Sequence, residues 1–329
     1  MDPQLHVVTG KGGVGKTTVA AALALALASD GGRVLLAEVE GRQGLAQLFD
    51  VAPLPYAEVR LAPAPSGGEV VGLAIDPEAA LYEYLDLFYR LGPAGKLLRK
   101  VGAVDFATTV APGLRDVLLT GKIYEAVGQR RAGRQEYDAV VVDAPPTGRI
   151  TRFLNVGSEV SGLAKVGPIR AQADAITSLV KSSRAVVHVV TLLEEMPVQE
   201  TADGITELES AGIPIGRVIV NGMRTRWLDA AQRSQMAGLD SDATALKHHA
   251  AKTAATLKHL GMARPVGSAK SMLDEAIRHE ARLEQEDEQL AAVHALDARA
   301  AELPWIDDGV DMAALLELAT TLRTAVVNA

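Results

Sequence analysis

Leu5-His6-Val7-Val8-Thr9 leads without a break into Gly10-Lys11-Gly12-Gly13-Val14-Gly15-Lys16-Thr17-Thr18, and this in turn into an Ala- and Leu-rich stretch over residues 19–28. The middle string fits G-x-x-x-x-G-K-T. It stands between a strand and a helix, the setting in which that motif is a phosphate-binding loop. Its glycines let backbone N–H groups turn inward around phosphates, and the helix N-terminus behind adds partial positive charge. Gly10, Lys11, Gly12, Gly13, Val14, Gly15, Lys16, Thr17 and Thr18 are therefore the expected nucleotide-binding set. The Lys16 ammonium is expected on the β- and γ-phosphates and the Thr17 hydroxyl on Mg2+. Gly10, Gly12 and Gly15 also spell the G-x-G-x-x-G of a dinucleotide fold, for which Glu38 or Glu40 would be the acidic residue about 20 positions on. That alternative has no use for Lys16-Thr17.

Short apolar runs ending in a small or acidic residue recur at 5–9, 33–38, 70–76, 137–143, 184–191 and 215–221. Most lack alternation, which suggests strands covered on both faces, and helical stretches separate them. An α/β domain follows, a P-loop NTPase with a doubly wound, mainly parallel sheet, helices on both faces and helical insertions. One domain is expected over 1–329. The Pro/Gly-rich piece 53–68 reads as a surface loop. Two spacers, 77–134 and 150–183, exceed what a crossover needs and read as helical insertions: Leu81, Tyr84, Leu85 and Phe88 fall at helix spacing, as do Leu114, Val117 and Leu118. From 224 to 301 the chain is Ala-rich and charge-rich, with Leu273, Ile277, Leu283, Leu290, Val293 and Leu296 spaced among Glu, Gln and Arg, a pattern of solvent-facing helices without evident chemistry.

Composition narrows the classes. The 329 residues are 48% apolar and 22% charged, which excludes collagen-like and disordered chains. The net charge of -8 does not favour nucleic acid or an anionic membrane as the main partner, though a local basic patch is compatible with it. No cysteine is present, so disulfides, thiolate zinc sites and Cys-ligated iron–sulfur clusters are excluded. The first strand lacks the features of a signal peptide, and the run 19–28 is shorter than the ~20 residues a bilayer span requires. A cytoplasmic protein that is not an integral membrane protein is the expectation.

Two further residues complete a nucleotide site. Asp143 ends a buried strand and is placed to hold Mg2+ through a water. Asn221, ending another, offers the donor and acceptor that match adenine N7 and N6. A guanine reader of the N-K-x-D type would need Asp at position 224, which is Arg224. ATP is favoured over GTP.

The string Lys11-Gly-Gly-Val-Gly-Lys16-Thr-Thr resembles the deviant Walker A of a dimeric ATPase class that contains nitrogenase iron protein, septum-site and partition ATPases, and arsenical-pump ATPases. Asp143-Ala-Pro-Pro-Thr-Gly-Arg149-Ile-Thr151-Arg152-Phe-Leu154 is similar to the switch II signature, D-T-A-P-T-G-H-T-L-R, of the arsenical-pump and tail-anchored-protein-targeting ATPases. Val34-Leu-Leu, Pro112-Gly113 and Val218-Ile-Val-Asn221 extend the likeness over most of the chain from His6 to Asn221, and Leu303-Pro304 is a faint echo of the adenine-side loop. The resemblance implies a dimer in which Lys11 reaches the partner's nucleotide, a switch II containing Pro146, Thr147, Gly148 and Arg149, and a catalytic set of Lys11, Lys16, Glu40 and Asp143.

Departures from that family accompany the matches. Where it has S-T-D-P-A-H in switch I, this chain reads Glu38-Val39-Glu40-Gly41-Arg42-Gln43, so Glu40 stands at the position of the water-polarising aspartate. Its carboxylate lies one methylene further out, and positioning is sensitive to shifts of about 1 Å. Turnover is expected to be slow or partner-dependent. Arg149 replaces the family histidine; it and Arg42 are permanent charges able to pair with phosphate or a carboxylate. The thiols of the family's arsenite and dimer-bridging zinc sites are absent, which argues against metalloid transport. Targeting relatives hold a client's transmembrane helix in an apolar, Met-rich groove; the insertions here contain no Met, although Leu85, Leu87, Phe88, Leu97, Leu98, Phe106, Leu118 and Leu163 are available to line one. Three functions remain open: a Mg-ATP-dependent dimeric switch with a protein or small-molecule partner, a regulatory subunit paired with a paralogous ATPase, and a partition or septum-site type positioning ATPase. The last is disfavoured by overall acidity and by residues 312–329, where Arg323 is the sole basic residue.

Overall fold

The six apolar runs all become strands, and two more join them. The computed structural model describes residues 3–89, 112–157, 167–236, 238–239 and 242–328. In chain order the main strands are β1 (Leu5–Gly10), β2 (Arg33–Glu38), β3 (Val59–Pro63), β4 (Glu69–Ala74), β7 (Ala139–Asp143), β8 (Ala185–Thr191), β9 (Ile215–Met223) and β10 (Ala301–Pro304); β5 (Arg130–Arg131) and β6 (Arg134–Gln135) form a small separate ribbon. The eight-stranded sheet has the order β10-β9-β8-β1-β7-β2-β4-β3. All neighbours are parallel except β3, which runs antiparallel to β4 with Val59 opposite Gly72 and Pro63 opposite Glu69. The expected loop 53–68 thus contains a strand. Pro63 can end it because an outermost strand leaves one row of N–H positions without a ladder partner.

The pleat sorts each strand's side chains onto two faces. Val8, Val34, Leu36, Val70, Val141 and Val190 lie in one core with α1 (Lys16–Ala28) and α11 (Met312–Leu322). Leu5, Val7, Leu35, Val71, Val140, Val142 and Val187 lie in the other, beneath α4 (Pro112–Gly128), α5 (Thr147–Leu154), α6 (Pro168–Val180) and α7 (Glu195–Ser210). Both faces are covered, as the absence of alternation requires. β1, first in sequence, sits between β7 and β8. The chain turns in opposite directions from it, so the crevice at the carboxyl ends of β1 and β7 is the switch point where such sheets take ligands.

The described parts of the two expected insertions are helical apart from the β5–β6 ribbon. α3 (Pro77–Tyr89) packs on α4 through Ala80, Leu81, Tyr84 and Leu118. Leu118, named among the residues available to line a groove, is buried at 3% exposure. Leu97, Leu98, Phe106 and Leu163 lie outside the described residues, as do the side chains of Leu85, Leu87 and Phe88.

By internal contacts the chain divides into two units, one of Met1–Met223 with Val293–Ala329, the other of Arg224–Ala292. In the second, α8 (Ala230–Met236) and α9 (Ala243–His259) precede residues 265–292 of α10 (Pro265–Leu296). The Asp242 carboxylate caps α9 by accepting from the N–H groups of Thr244 (2.9 Å) and Ala245 (3.0 Å). Arg224 pairs with Glu286, Arg226 with Asp287, and Trp227 stacks on His279 with centroids 3.8 Å apart. Among the described residues no helix is long and apolar enough to cross a membrane.

Candidate nucleotide site

β1 ends at Gly10, where a Cβ would stand 2.2 Å from the Val190 carbonyl oxygen, so only glycine passes this close to β8. The loop then turns through exposed Gly12 and Gly13 to Gly15, at φ 88, which caps α1. No side chain caps that helix and no acidic residue lies in its first turn. Its first N–H groups, which have no intrahelical partner, are left for a ligand to satisfy. Thr18 lies in this first turn, half-buried. Lys16 Nζ donates to the Lys11 carbonyl at 3.1 Å, curling back over the loop. Burial holds its ammonium below the usual lysine range despite the attraction of Asp143 and Glu40.

Thr17 Oγ1 donates to Asp143 Oδ2 at 2.6 Å, joining the start of α1 to the end of β7. Asp143 is pushed up to about 6, first by burial and further by Glu38 and Glu40, while the Thr17 hydroxyl and Lys16 pull the other way. A carboxylate so disfavoured as an anion gains most from a cation placed beside it. Among the described residues no group of three His, Asp or Glu forms a metal cage. One hydroxyl with one carboxylate is the protein share that Mg2+ takes when phosphates and waters complete its octahedron.

Glu38, buried at the end of β2, accepts from the N–H groups of Gly44 (3.2 Å) and Leu45 (3.3 Å). It thereby anchors α2 (Gly44–Leu48), and Gln43 adds two side-chain bonds to the backbone of Leu54. The segment between these anchors carries Glu40, whose carboxylate lies 3.5 Å from Arg42 and 3.7 Å from Arg149. The segment after Asp143 is also fixed: Thr9 Oγ1 donates to the Pro145 carbonyl at 2.7 Å, and Arg149 N–H to that of Pro146 at 2.8 Å. Thr147, buried at the start of α5, leaves room on α7 for no side chain at Gly204, where a Cβ would meet its methyl at 3.1 Å. Gly148 is exposed at this turn.

Lys11 forms an ion pair with Glu200 of α7 at 2.9 Å. Asn221, at the end of β9, donates from Nδ2 to the Val14 carbonyl at 2.9 Å, and a Cβ on Gly15 would lie 2.3 Å from that nitrogen. Every site residue read from the sequence therefore falls on the crevice at the ends of β1, β2, β7 and β9 or on the segments leading from it. Sequence reasoning missed Glu38 as an anchor, Glu200 as the partner of Lys11 and Thr9 as the tie to the segment after Asp143. A buried acidic strand end was a signal for Glu38; nothing local marks Glu200. Elsewhere, a cavity of about 260 Å³ between α3, α4 and α6 is lined by Tyr56, Glu83, Asp86, Lys122 and Glu125 as well as apolar groups.

The arrangement can hold a polyphosphate, with N–H groups and an ammonium on the anion and a hydroxyl–carboxylate pair for its metal. Comparison with known proteins agrees. The family model described as Anion-transporting ATPase, the ArsA type, matches residues 4–185. The chain is 51% identical over 320 residues to the ATPase BagA of Mycobacterium tuberculosis, covering 97% of this chain and 92% of that one. It is 27% identical over 248 residues to a protein of Aquifex aeolicus named as arsenical pump-driving ATPase 2, covering 64% of this chain and 77% of that one. An arsenical pump-driving ATPase of Escherichia coli is 28% identical over 240 residues, 67% of this chain and 40% of that protein. With the loop, the paired Thr17 and Asp143 and these likenesses together, the chain belongs to the ArsA-type anion-transporting ATPase family.

Proposed function

We propose that this protein binds and hydrolyses Mg-ATP as a dimeric switch. The observation that carries the reading is the pairing of Thr17 with Asp143 beside a half-buried Lys16 at an uncapped helix N-terminus. The N–H groups of the deviant Walker A loop and Lys16 hold the β- and γ-phosphates. Thr17, and Asp143 through a water, hold Mg2+, which neutralises charge on the transferring phosphoryl group when bound. Glu40 orients the attacking water, and Asn221 reads the adenine edge. Lys11 leaves Glu200 and reaches the nucleotide of the partner protomer. Pro146, Thr147, Gly148 and Arg149 carry the state of the γ-phosphate to α5 and α7, and so to the helical insertions near 77–134 and 150–183 of a single ATPase domain, where a protein client or partner is released.

Some relatives are named for driving arsenical pumps. This chain has no cysteine and so no thiol for a metalloid or for a dimer-bridging zinc, which supports a different coupled process. A second reading rests on one observation: Glu40 is engaged by both Arg42 and Arg149. A water-orienting group tied to two guanidinium ions suits a regulatory subunit whose paralogous partner does the chemistry.

Steady-state ATP hydrolysis by the purified chain, with Lys16→Ala and Glu40→Ala, tests both. Turnover lost in each variant supports a self-sufficient ATPase; turnover unchanged by Lys16→Ala refutes it. Nucleotide binding without turnover supports the regulatory subunit, and a homodimer with robust turnover counts against that role.

A further inference from the structure

The acidity of the whole chain hides one segment that is basic throughout. Between Asp242 and Asp274 the sequence carries Lys247, Lys252, Lys258, Arg264 and Lys270, and no Asp or Glu. All five side chains are exposed, and none forms an ion pair among the described residues. Of the carboxylates of the same unit, Glu286 pairs with Arg224, Glu280 and Asp287 with Arg226, and Glu275 with Arg278. Where α9 gives way to α10, three aliphatic side chains stand out in the stretch that also carries Lys258 and Arg264: Leu260 at 77% exposure, Met262 at 45% and Val266 at 73%.

The corner is built, not frayed. Gly261, at φ 81, donates to the Lys258 carbonyl at 3.1 Å, and Met262 N–H to that of Leu257 at 3.0 Å, the two bonds of a Schellman end. Ser268 N–H donates to the Arg264 carbonyl at 3.1 Å as α10 begins. Ala254, Leu257 and Ala269 pack beneath. A fixed backbone that buries Leu257 yet turns Leu260 and Val266 outward presents apolar surface to whatever meets the corner.

We infer that this corner docks the protein peripherally on an anionic lipid bilayer, the aliphatic side chains entering the headgroup boundary while the surrounding Lys and Arg side chains meet lipid phosphates. Unpaired cations select an anionic partner. The exposed aliphatic residues distinguish that partner from nucleic acid, whose phosphates take cations but give apolar tips nothing to bury in. A projecting apolar tip also fits a bilayer without a matching cavity, and flanking Lys and Arg stems can lie along the boundary with their charges in water.

The test is flotation of the full chain with phosphatidylglycerol/phosphatidylcholine vesicles against pure phosphatidylcholine vesicles. Retention on the anionic vesicles alone, weakened by salt, is expected. Lys258→Gln with Arg264→Gln should lower it about fivefold per charge. Leu260→Ser with Val266→Ser should lower it at least about tenfold, with ATP hydrolysis and melting unchanged in all variants. Because the chain has no cysteine, Met262→Cys takes an environment-sensitive fluorophore at one place, and its emission should shift to the blue on anionic vesicles. No retention, equal retention on both vesicles, retention insensitive to these substitutions, an unshifted fluorophore, or binding to duplex DNA in place of vesicles would each overturn the inference.

Discussion

Replacing Asp143 by Asn should make the nucleotide-free protein more stable while removing the carboxylate that would hold Mg2+ through a water. In the folded chain this carboxyl is pushed from its ordinary 3.8 up to about 6, chiefly by burial. At a pH well above both values the folded state carries an anion that the unfolded chain solvates better. With about 1.4 kcal/mol per unit, the cost at pH about 8 is about 3 kcal/mol. A group whose folded value is raised returns stability as pH falls, so the cost shrinks to about half by pH 5 and vanishes below the unfolded value. Asn is isosteric, and its carbonyl can still accept from Thr17 Oγ1, which now bonds Asp143 at 2.6 Å. Thermal unfolding in EDTA without nucleotide should therefore show Asp143→Asn melting about 6 °C above the parent at pH 8 and closer to it at pH 5. Mg-ATP should reverse the order by stabilising the parent alone. A variant that melts at or below the parent at pH 8, or a gap that does not change with pH, would refute the electrostatic account.

Gly15→Ala forces a Cβ to within 2.3 Å of Asn221 Nδ2 at a residue of φ 88. The left-handed conformation alone costs ~1–2 kcal/mol, so affinity for a fluorescent ATP analogue should fall about five- to thirtyfold if that strain is borne by the loop in the bound state; unchanged affinity would sink the argument. Glu200→Gln should shift stability by less than ~1 kcal/mol, since the pair with Lys11 is partly exposed. It should raise the ATP-dependent dimer fraction in sedimentation velocity, and a fraction at or below the parent's would remove the view of Glu200 as a holding partner. His188 Nε2 meets His6 Nδ1 at 3.1 Å, and the Arg217 N–H donates to its Nδ1 at 3.2 Å. Burial, with His6 and Arg217 beside it, holds its imidazole well below the ordinary 6.5. Stability is thus present above that value and lost as pH falls through it. Urea unfolding should show the parent weakening against His188→Gln between pH about 6.5 and 5, and parallel curves would contradict a neutral His188.

The legible parts of the sequence were those where local pattern and chemistry coincide. Leu5 to Thr18 reads as strand, loop and helix because the motif's residue types match its turn, as Gly10 and Gly15 do, and the Val-rich runs read as covered strands because they lack a polar face. β3 was not legible: Val59–Pro63 is short and Pro-terminated, and its strand state comes from pairing with β4. Leu118 read as an available groove residue because helical spacing does not say which neighbour covers it; Ala80, Leu81 and Tyr84 do. At the site, Lys16, Thr17 and Asp143 were found by motif, but the engagement of Lys11 by Glu200 and of Glu40 by Arg149 joins distant segments. Only the fold brings those charges together.

α1 follows the phosphate loop directly, and its residues from Val19 to Ala26 are buried without interruption. Such a helix has no face for water, and Leu315, Leu318 and Leu322 of α11 share its core. The ribosome makes the first of these helices early and the second long after. Until α11 has been synthesised, the element that follows the phosphate loop has the sheet on one side but lacks α11 on the other, and part of an Ala/Leu-rich segment stays exposed. A nascent chain stalled before Met312 should therefore be a client of chaperones and not yet an acceptor of nucleotide.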